Sequence, residues 1–173
     1  MNKAQIFTPR FLLRTLTLND ATPKYSSWLD EQPVSKFIRA SSQDHDIEHL
    51  RAYIRERAER DDVLFLGIFT RDRMEHIGNI KFEPVDTARK YAIMGILIGE
   101  SSWRGKGVAT EVIEHCARWL HREIGINEII LGVDPNNSAV VRAYKKTGFR
   151  VEKSDKVLVN GVSAISMVLY AGN

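Results

Sequence analysis

Apolar and polar positions follow two rhythms along this chain, and the change from one to the other marks its elements. Short runs rich in β-branched and aromatic residues predict strands at Arg10 to Leu16, Val63 to Thr70, His76 to Phe82, Tyr91 to Ile98 and Glu128 to Val133. Helical spacing predicts four further segments. Asp20 stands as an N-cap for a helix through about Leu29, and Ser41-Ser42-Gln43-Asp44 supplies caps for a helix of about Ile47 to Arg60. That second helix places Leu50, Tyr53 and Ile54 on one side. A third runs from Gly105 to Glu123, with Val108, Val112, Ile113, Cys116, Trp119 and Leu120 on its apolar face. The fourth spans Ser138 to Thr147 and stops at Gly148, read as a left-handed C-cap. Arg71 to Glu75 has the length of a hairpin turn, and Glu83 to Lys90 reads as a longer polar connection. Arg150 to Val159 and Val162 to Tyr170, joined by Asn160-Gly161, predict a closing hairpin with a type I′ turn. The strand–helix–strand order around residues 91–133 calls for parallel neighbours joined by a right-handed crossover. The expected fold is therefore an α/β (α+β) mixed sheet flanked by helices, in a single domain over residues 1–173 whose core covers about 10–170.

The chemistry concentrates where the strand Tyr91 to Ile98 ends. Gly99 closes the apolar run, a polar turn follows, and Arg104-Gly105-Lys106-Gly107 leads directly into the third helix. The first N–H groups of a helix lack partners inside it, and the macrodipole places partial positive charge there. Glycines at 105 and 107 remove the Cβ atoms that would hold phosphate oxygens away from the backbone. Arg104 and Lys106 add positive charge, so the junction reads as a diphosphate cradle. It is not a Walker A loop, because Gly99 lies one residue too far from Gly105-Lys106 and Gly107 occupies the hydroxyl position. A dinucleotide fingerprint fits no better, since the third glycine is missing.

The pattern Arg104-x-x-Gly107-x-Ala109 at a helix start resembles the acyl-CoA signature of the GNAT acetyltransferase superfamily. Asp134-Pro135-Asn136-Asn137-Ser138, followed by Ala143-Tyr144-Lys145-Lys146-Thr147-Gly148-Phe149, is similar to that superfamily's second motif. Leu13 to Ala21 resembles its opening strand and helix entry. Ile77-Gly78-Asn79-Ile80 and the block from Ile98 to Glu111 look most like the branch that acetylates ribosomal-protein N-termini, with its many small-molecule-modifying relatives. The resemblance implies the GNAT fold, a central twisted mixed sheet with helices on both faces. It also implies that acetyl-CoA lies in a gap between the strands ending at Ile98 and Val133, where the amides of its pantetheine arm satisfy unpaired backbone groups. Ile96, Leu97, Ile98, Arg104, Gly105, Lys106, Gly107, Val108, Ala109, Thr110, Asn137 and Tyr144 are then the residues expected at the cofactor, with an oxyanion donor among the N–H groups near Ile98. Tyr144 matches the family's tyrosine that protonates the departing thiolate, against the alternative of a half-buried helix aromatic. Asn137 would touch the cofactor or cap the helix. Glu83 and Glu100 are candidates for the general base, although Glu100 could instead fix the turn.

Composition narrows the picture. The chain has 173 residues and a formal charge of +3, with basic and acidic residues interleaved as in Arg55-Glu56-Arg57-Ala58-Glu59-Arg60-Asp61-Asp62. Such interleaving reads as a solvated helix face rather than a nucleic-acid surface. No segment reaches the roughly 20 apolar residues needed to span a bilayer, and the amino terminus lacks an apolar signal core, so a cytoplasmic protein is expected. One cysteine, Cys116, falls on an apolar helix face and excludes both an internal disulfide and a cysteine-based metal cluster. No histidine pattern suggests a metal. The expected partners are acetyl-CoA and a primary amine, with no nucleic acid and no membrane, in a monomer or homodimer. The acceptor leans toward a small amine such as an amino sugar or polyamine, with a protein N-terminal α-amine as the alternative. A CoA-binding module without catalysis is the non-enzyme reading.

Overall fold

The computed structural model describes residues 4–30, 47–156 and 164–172. Strands β1 (Gln5–Phe7), β2 (Phe11–Thr15), β3 (Leu64–Thr70), β4 (His76–Asp86), β5 (Tyr91–Ile98), β6 (Glu128–Val133), β7 (Arg150–Val151) and β8 (Ile165–Tyr170) form one sheet in the order β1-β2-β3-β4-β5-β6-β8-β7. Every adjacent pair is antiparallel except β5 and β6, which run parallel. The element between those two is α3 (Val108–Trp119), continued by a wider π turn over Leu120–Ile124 and stopped at Gly125 in the left-handed conformation.

Alternation along β3 shows how the sheet is covered. All seven of its residues are buried, with Leu64, Leu66 and Ile68 in one apolar cluster and Phe65 and Phe69 in another. Side chains two apart share a face, so the clusters lie on opposite sides of the sheet. The first contains the inner face of α3, where Val112, Ile113, Cys116 and Leu120 are sealed from solvent. Burying each of the larger aliphatic side chains contributes roughly 1.5–3 kcal/mol, which fixes the helix against β1 and β5. The second cluster joins α1 (Pro23–Asp30) and α2 (Ile47–Ala58) to the sheet through Tyr25, Trp28, Leu50 and Ile54. The last helix, α4 (Ser138–Lys146), rests Val140, Val141 and Tyr144 on the first cluster. Helices therefore cover both faces, as expected.

Several boundaries differ from the sequence reading. Asp20 does not cap α1. It ends a single 3₁₀ turn (Leu18–Asp20), accepts from the Thr17 amide and hydroxyl, and takes a two-pronged ion pair from Arg14. Thr22 accepts from the Tyr25 amide instead, and Pro23 opens the helix, where a missing N–H costs nothing. Glu83-Pro84-Val85-Asp86 is not a loop but the end of β4, accommodated by a register shift between Phe82 and Val85. β1 was not anticipated, and β7 is two residues long rather than half of a long hairpin. β8 instead pairs along its whole length with β6. The Ser41 to Asp44 caps and the Asn160-Gly161 turn lie outside the described residues.

Candidate active site

Strands β5 and β6 pair only at Tyr91↔Glu128, Ala92↔Ile129 and Ile93↔Ile130. Both then continue on their outer sides, β5 with β4 as far as Ile98 and β6 with β8 as far as Val133. The two parallel strands thus diverge beyond Ile93 and Ile130, exposing backbone donors and acceptors along the facing edges. Gly95 is exposed and Ile96, Leu97 and Ile98 are only half-buried, unusual for a central strand. This is the gap expected between Ile98 and Val133.

At the open end of the gap, a 3₁₀ turn (Ser101–Trp103) leads into the glycine loop. Gly105 and Gly107 adopt φ of 74° and 73°, a left-handed geometry that side chains resist, so these two glycines shape the loop. A Cβ at Gly105 would meet nothing within 4 Å, and one at Gly107 only Arg10 Nη2 at 3.8 Å. Open space over both positions admits an anion. Gly107 is the N-cap of α3 and offers no side-chain cap, so the first amides of α3 face outward unsatisfied by a cap.

The cations around the loop divide differently from expectation. Arg104 donates from Nε to the Ile98 carbonyl at 2.9 Å and from Nη2 to the Gly99 carbonyl at 2.8 Å. It braces the end of β5. Lys106 lies over the Trp103 ring, its ammonium 5.6 Å from the centroid. Arg10, which sequence reasoning passed over, donates from Nη1 to the Lys106 carbonyl at 3.1 Å and from Nε to Glu111 at 2.7 Å. Glu111 also accepts from the Thr8 hydroxyl at 2.6 Å and the Arg10 amide at 2.9 Å. Burial alone would raise the Glu111 carboxyl, but these donors and the Arg10 charge hold it below the usual carboxylate range. The first turn of α3 is thereby tied to the β1–β2 turn. Nothing in the sequence pattern signals a contact 101 residues apart.

Tyr144 stands on α4, which leaves the end of β6. Its ring is tilted against Phe149, with centroids 5.5 Å apart. The Thr147 hydroxyl, one turn further on, lies 3.5 Å from that of Thr110, so the end of α4 abuts the first turn of α3. Burial pushes the Tyr144 phenol up to about 12, and it stays protonated throughout the neutral range. Asn137 caps α4, its Oδ1 accepting from the Val140 amide at 3.3 Å, and Asp134 accepts from the Asn136 amide at 2.9 Å to hold the preceding turn. Cys116 is sealed in the core, where burial pushes its thiol up and leaves it inert.

Both carboxylates expected as bases are committed elsewhere. Glu83 Oε2 accepts from Lys81 Nζ at 2.6 Å and Arg57 Nε at 3.2 Å, while Oε1 pairs with Arg60. Burial on its own would raise this carboxyl, but the hydrogen bond from Lys81 and the charges of Lys81, Arg57 and Arg60 lower it. A carboxylate stabilised in its charged form is a weak proton acceptor. Glu100 Oε1 accepts from Trp28 Nε1 at 3.3 Å and Lys24 at 3.2 Å, so it locks α1 to the end of β5. His76, at the start of β4, is half-buried. Its ring stacks on Phe69 at 4.7 Å and meets Tyr25 and Trp28 edge-on. Burial lowers its pKa, and its Nε2 approaches the Gly78 carbonyl at 3.0 Å and Asn79 Oδ1 at 2.9 Å. Two acceptors at Nε2 require the proton there. No group of three or more His, Cys, Asp or Glu that could hold a metal occurs among the described residues. No helix among them is long and apolar enough to cross a membrane.

Comparison with known proteins shows the family and the fold. The family described as "Acetyltransferase (GNAT) domain" matches residues 10–150. The Bacillus subtilis protein named "Probable N-acetyltransferase YjcK" is 31% identical over 110 residues, covering 62% of this chain and 60% of YjcK. The chain thus spans a little under two-thirds of that relative. Among solved structures, the Vibrio cholerae spermidine N-acetyltransferase in complex with CoA and spermine superposes with a TM-score of 0.77 at 16% identity, over 93% of this chain and 95% of that one. The ribosomal-protein-S5-alanine acetyltransferase of Vibrio fischeri superposes with a TM-score of 0.77 at 13% identity, over 98% of each chain. At these identities the two structures share the fold.

Proposed function

The chain belongs to the GNAT acetyltransferase family, and on that premise we propose that it transfers the acetyl group of acetyl-CoA to a primary amine on a small acceptor. The observation that carries this reading is the divergence of β5 and β6 beyond Ile93 and Ile130, directly ahead of an uncapped helix whose entry loop has open space above Gly105 and Gly107. The residues present fit a CoA thioester. The amides of residues 105–109 and Lys106 would hold the diphosphate, with Val108, Ala109 and Thr110 forming the floor, and the free edges of Ile96 to Ile98 and of β6 would receive the pantetheine amides. Acetyl-CoA supplies an activated acyl group on a good leaving sulfur.

The protein's own contributions are orientation, charge stabilisation and one proton. A backbone N–H near Ile98 would donate to the carbonyl oxygen as it gains charge, already positioned by the β4 ladder. Tyr144 would hold its proton at the hydroxyl for the departing sulfur. Its raised pKa keeps that proton in place at neutral pH, and transfer occurs as charge builds on sulfur rather than before. Arg104 and Arg10 act behind the loop, one fixing the strand end and the other the first turn of α3. The environments of Glu83 and Glu100 disfavour a dedicated carboxylate base. An amine with pKa near 8 is already partly neutral at neutral pH, so solvent can accept its proton.

Thiol release from acetyl-CoA in the presence of amine acceptors tests the reading. Tyr144→Phe is expected to lower kcat by about 10²-fold or more, within the span of general acid catalysis, while the Kd for acetyl-CoA changes little. Equal turnover by the two proteins would remove the acid role.

A further inference from the structure

The α2 side of the gap carries a cationic cluster that the transfer step does not use. Lys81 and Gly95 are directly opposed on β4 and β5, so their α-carbon substituents point to the same face. That face carries α2, because Lys81 Nζ donates to the Tyr53 hydroxyl at 2.7 Å. A Cβ built on Gly95 meets nothing within 4 Å, so open space lies over Gly95, opposite Lys81 in the strand pair and two residues past the last β5–β6 pair. Arg57 packs on the same tyrosine, its guanidinium 3.4 Å from the centroid of the Tyr53 ring.

The charges there do not cancel. Arg60 is matched by Asp62 through two bonds of 2.9 and 2.8 Å and also reaches Glu83 Oε1. Glu83 must then serve both Arg57 and Lys81, leaving one positive charge in excess, with Arg57 and Lys81 side chains only 14% and 27% exposed. Glu56 touches Arg57 at 3.3 Å, but it is 67% exposed and water screens it. Donors remain as well. Lys81 has three N–H groups, of which Tyr53 and Glu83 take two. Among the described residues Arg57 Nη2 makes no hydrogen bond, and the Tyr53 hydroxyl, having accepted from Lys81, can still donate its own proton.

We propose that the acceptor is an amine that also bears an anionic group, a carboxylate or a phosphate ester, which Lys81, Arg57 and Tyr53 bind above Gly95 while the amine faces the gap between β5 and β6. This rests on the acetyl-transfer reading and selects among its acceptors. A polycation such as a polyamine would meet like charge at this wall. An anion there completes a network in which Lys81, Arg57 and Arg60 share the carboxylates of Glu83 and Asp62.

Matched acceptor pairs test it by thiol release: an α-amino acid against its amide, and an amino-sugar phosphate against the free amino sugar, with spermidine as the polycation. The anionic member of at least one pair is expected to show a kcat/KM about 10-fold or more above its neutral partner, as for a hydrogen-bonded charge. Whichever pair separates identifies carboxylate or phosphate. Lys81→Gln and Arg57→Lys should each reduce that ratio about 10-fold, mainly through KM, and thermal melting would verify that both variants fold. Equal use of both members, preference for spermidine, or an unchanged ratio in the two variants would overturn the proposal. So would acetyl-CoA binding without use of any anionic acceptor. Failure to bind acetyl-CoA at all would instead strike the transfer reading beneath it.

Discussion

Gly99 is the position where the fold tolerates least. A Cβ added there would lie 2.0, 2.3 and 2.4 Å from Cδ2, Cε3 and Cε2 of Trp28, far inside van der Waals contact. The indole cannot swing aside easily. It is 3% exposed, packs on Tyr25 and His76 at 5.5 and 5.0 Å, and donates to Glu100. Forcing extra volume into a packed core typically costs 1–3 kcal/mol, and a rigid, enclosed ring places Gly99→Ala in the upper part, about 2–3 kcal/mol. For a domain of this size each kcal/mol shifts Tm by about 2–4 °C, so the melting point should fall by roughly 5–10 °C. Because Arg104 is anchored on the Gly99 carbonyl, the glycine loop should loosen too, and acetyl-CoA affinity should drop in the folded variant. Thermal melting followed by circular dichroism, with calorimetry for the ligand, reads both effects. Trp28→Leu will itself destabilise the protein, but combined with Gly99→Ala it should cost less than the sum of the singles, because the clash is gone. A Gly99→Ala protein that melts with the wild type, or strictly additive losses in the double variant, would refute the packing argument.

Gly95→Ala should behave oppositely: open space awaits its methyl, so stability is expected to hold or rise by up to about 0.5–1 kcal/mol, while kcat/KM falls because the methyl narrows the gap. Unchanged kinetics in that variant would place the acceptor elsewhere. Stability should also fall on acidification in two stages. Burial keeps His76 neutral below its usual pKa, so the unfolded chain takes up that proton first and stability begins to decline below about pH 6.5. Asp20, Glu83 and Glu111 have folded pKa values below the ordinary range, so their contribution is complete above about pH 4.5 and is lost as pH falls through the lowered values. Urea titrations across pH 3–8 measure this. A profile flat to pH 3 would show that the ion pairs contribute nothing.

What the sequence reveals here depends on whether a feature is local. The glycine loop, the amphipathic stripe of α3 and the C-cap at Gly148 (φ 95°) obey short-range rules and were legible from residue order. The pattern also located the divergent strands, since β5 and β6 carry their own apolar runs. Contacts made by folding were not legible. Arg10 reaches Lys106 across 96 residues, and Arg57 meets Glu83 across 26 after a strand boundary that Pro84 concealed. The charge of Arg104 was visible in the sequence, but the two carbonyls it braces were not. The surroundings of His76 were not legible either, because its aromatic cage is assembled from two other elements, α1 and β3. One signal was available and unused: a glycine inside an apolar strand, Gly95, marks a place where something approaches the backbone closely.

The most direct measurement is a crystal structure of the protein grown with acetyl-CoA. The diphosphate is expected on the amides of residues 105–109, the pantetheine between β5 and β6 beyond Ile93 and Ile130, and the sulfur within hydrogen-bond reach of the Tyr144 hydroxyl. Acetyl-CoA bound elsewhere, with β5 and β6 closed on each other, would contradict this expectation.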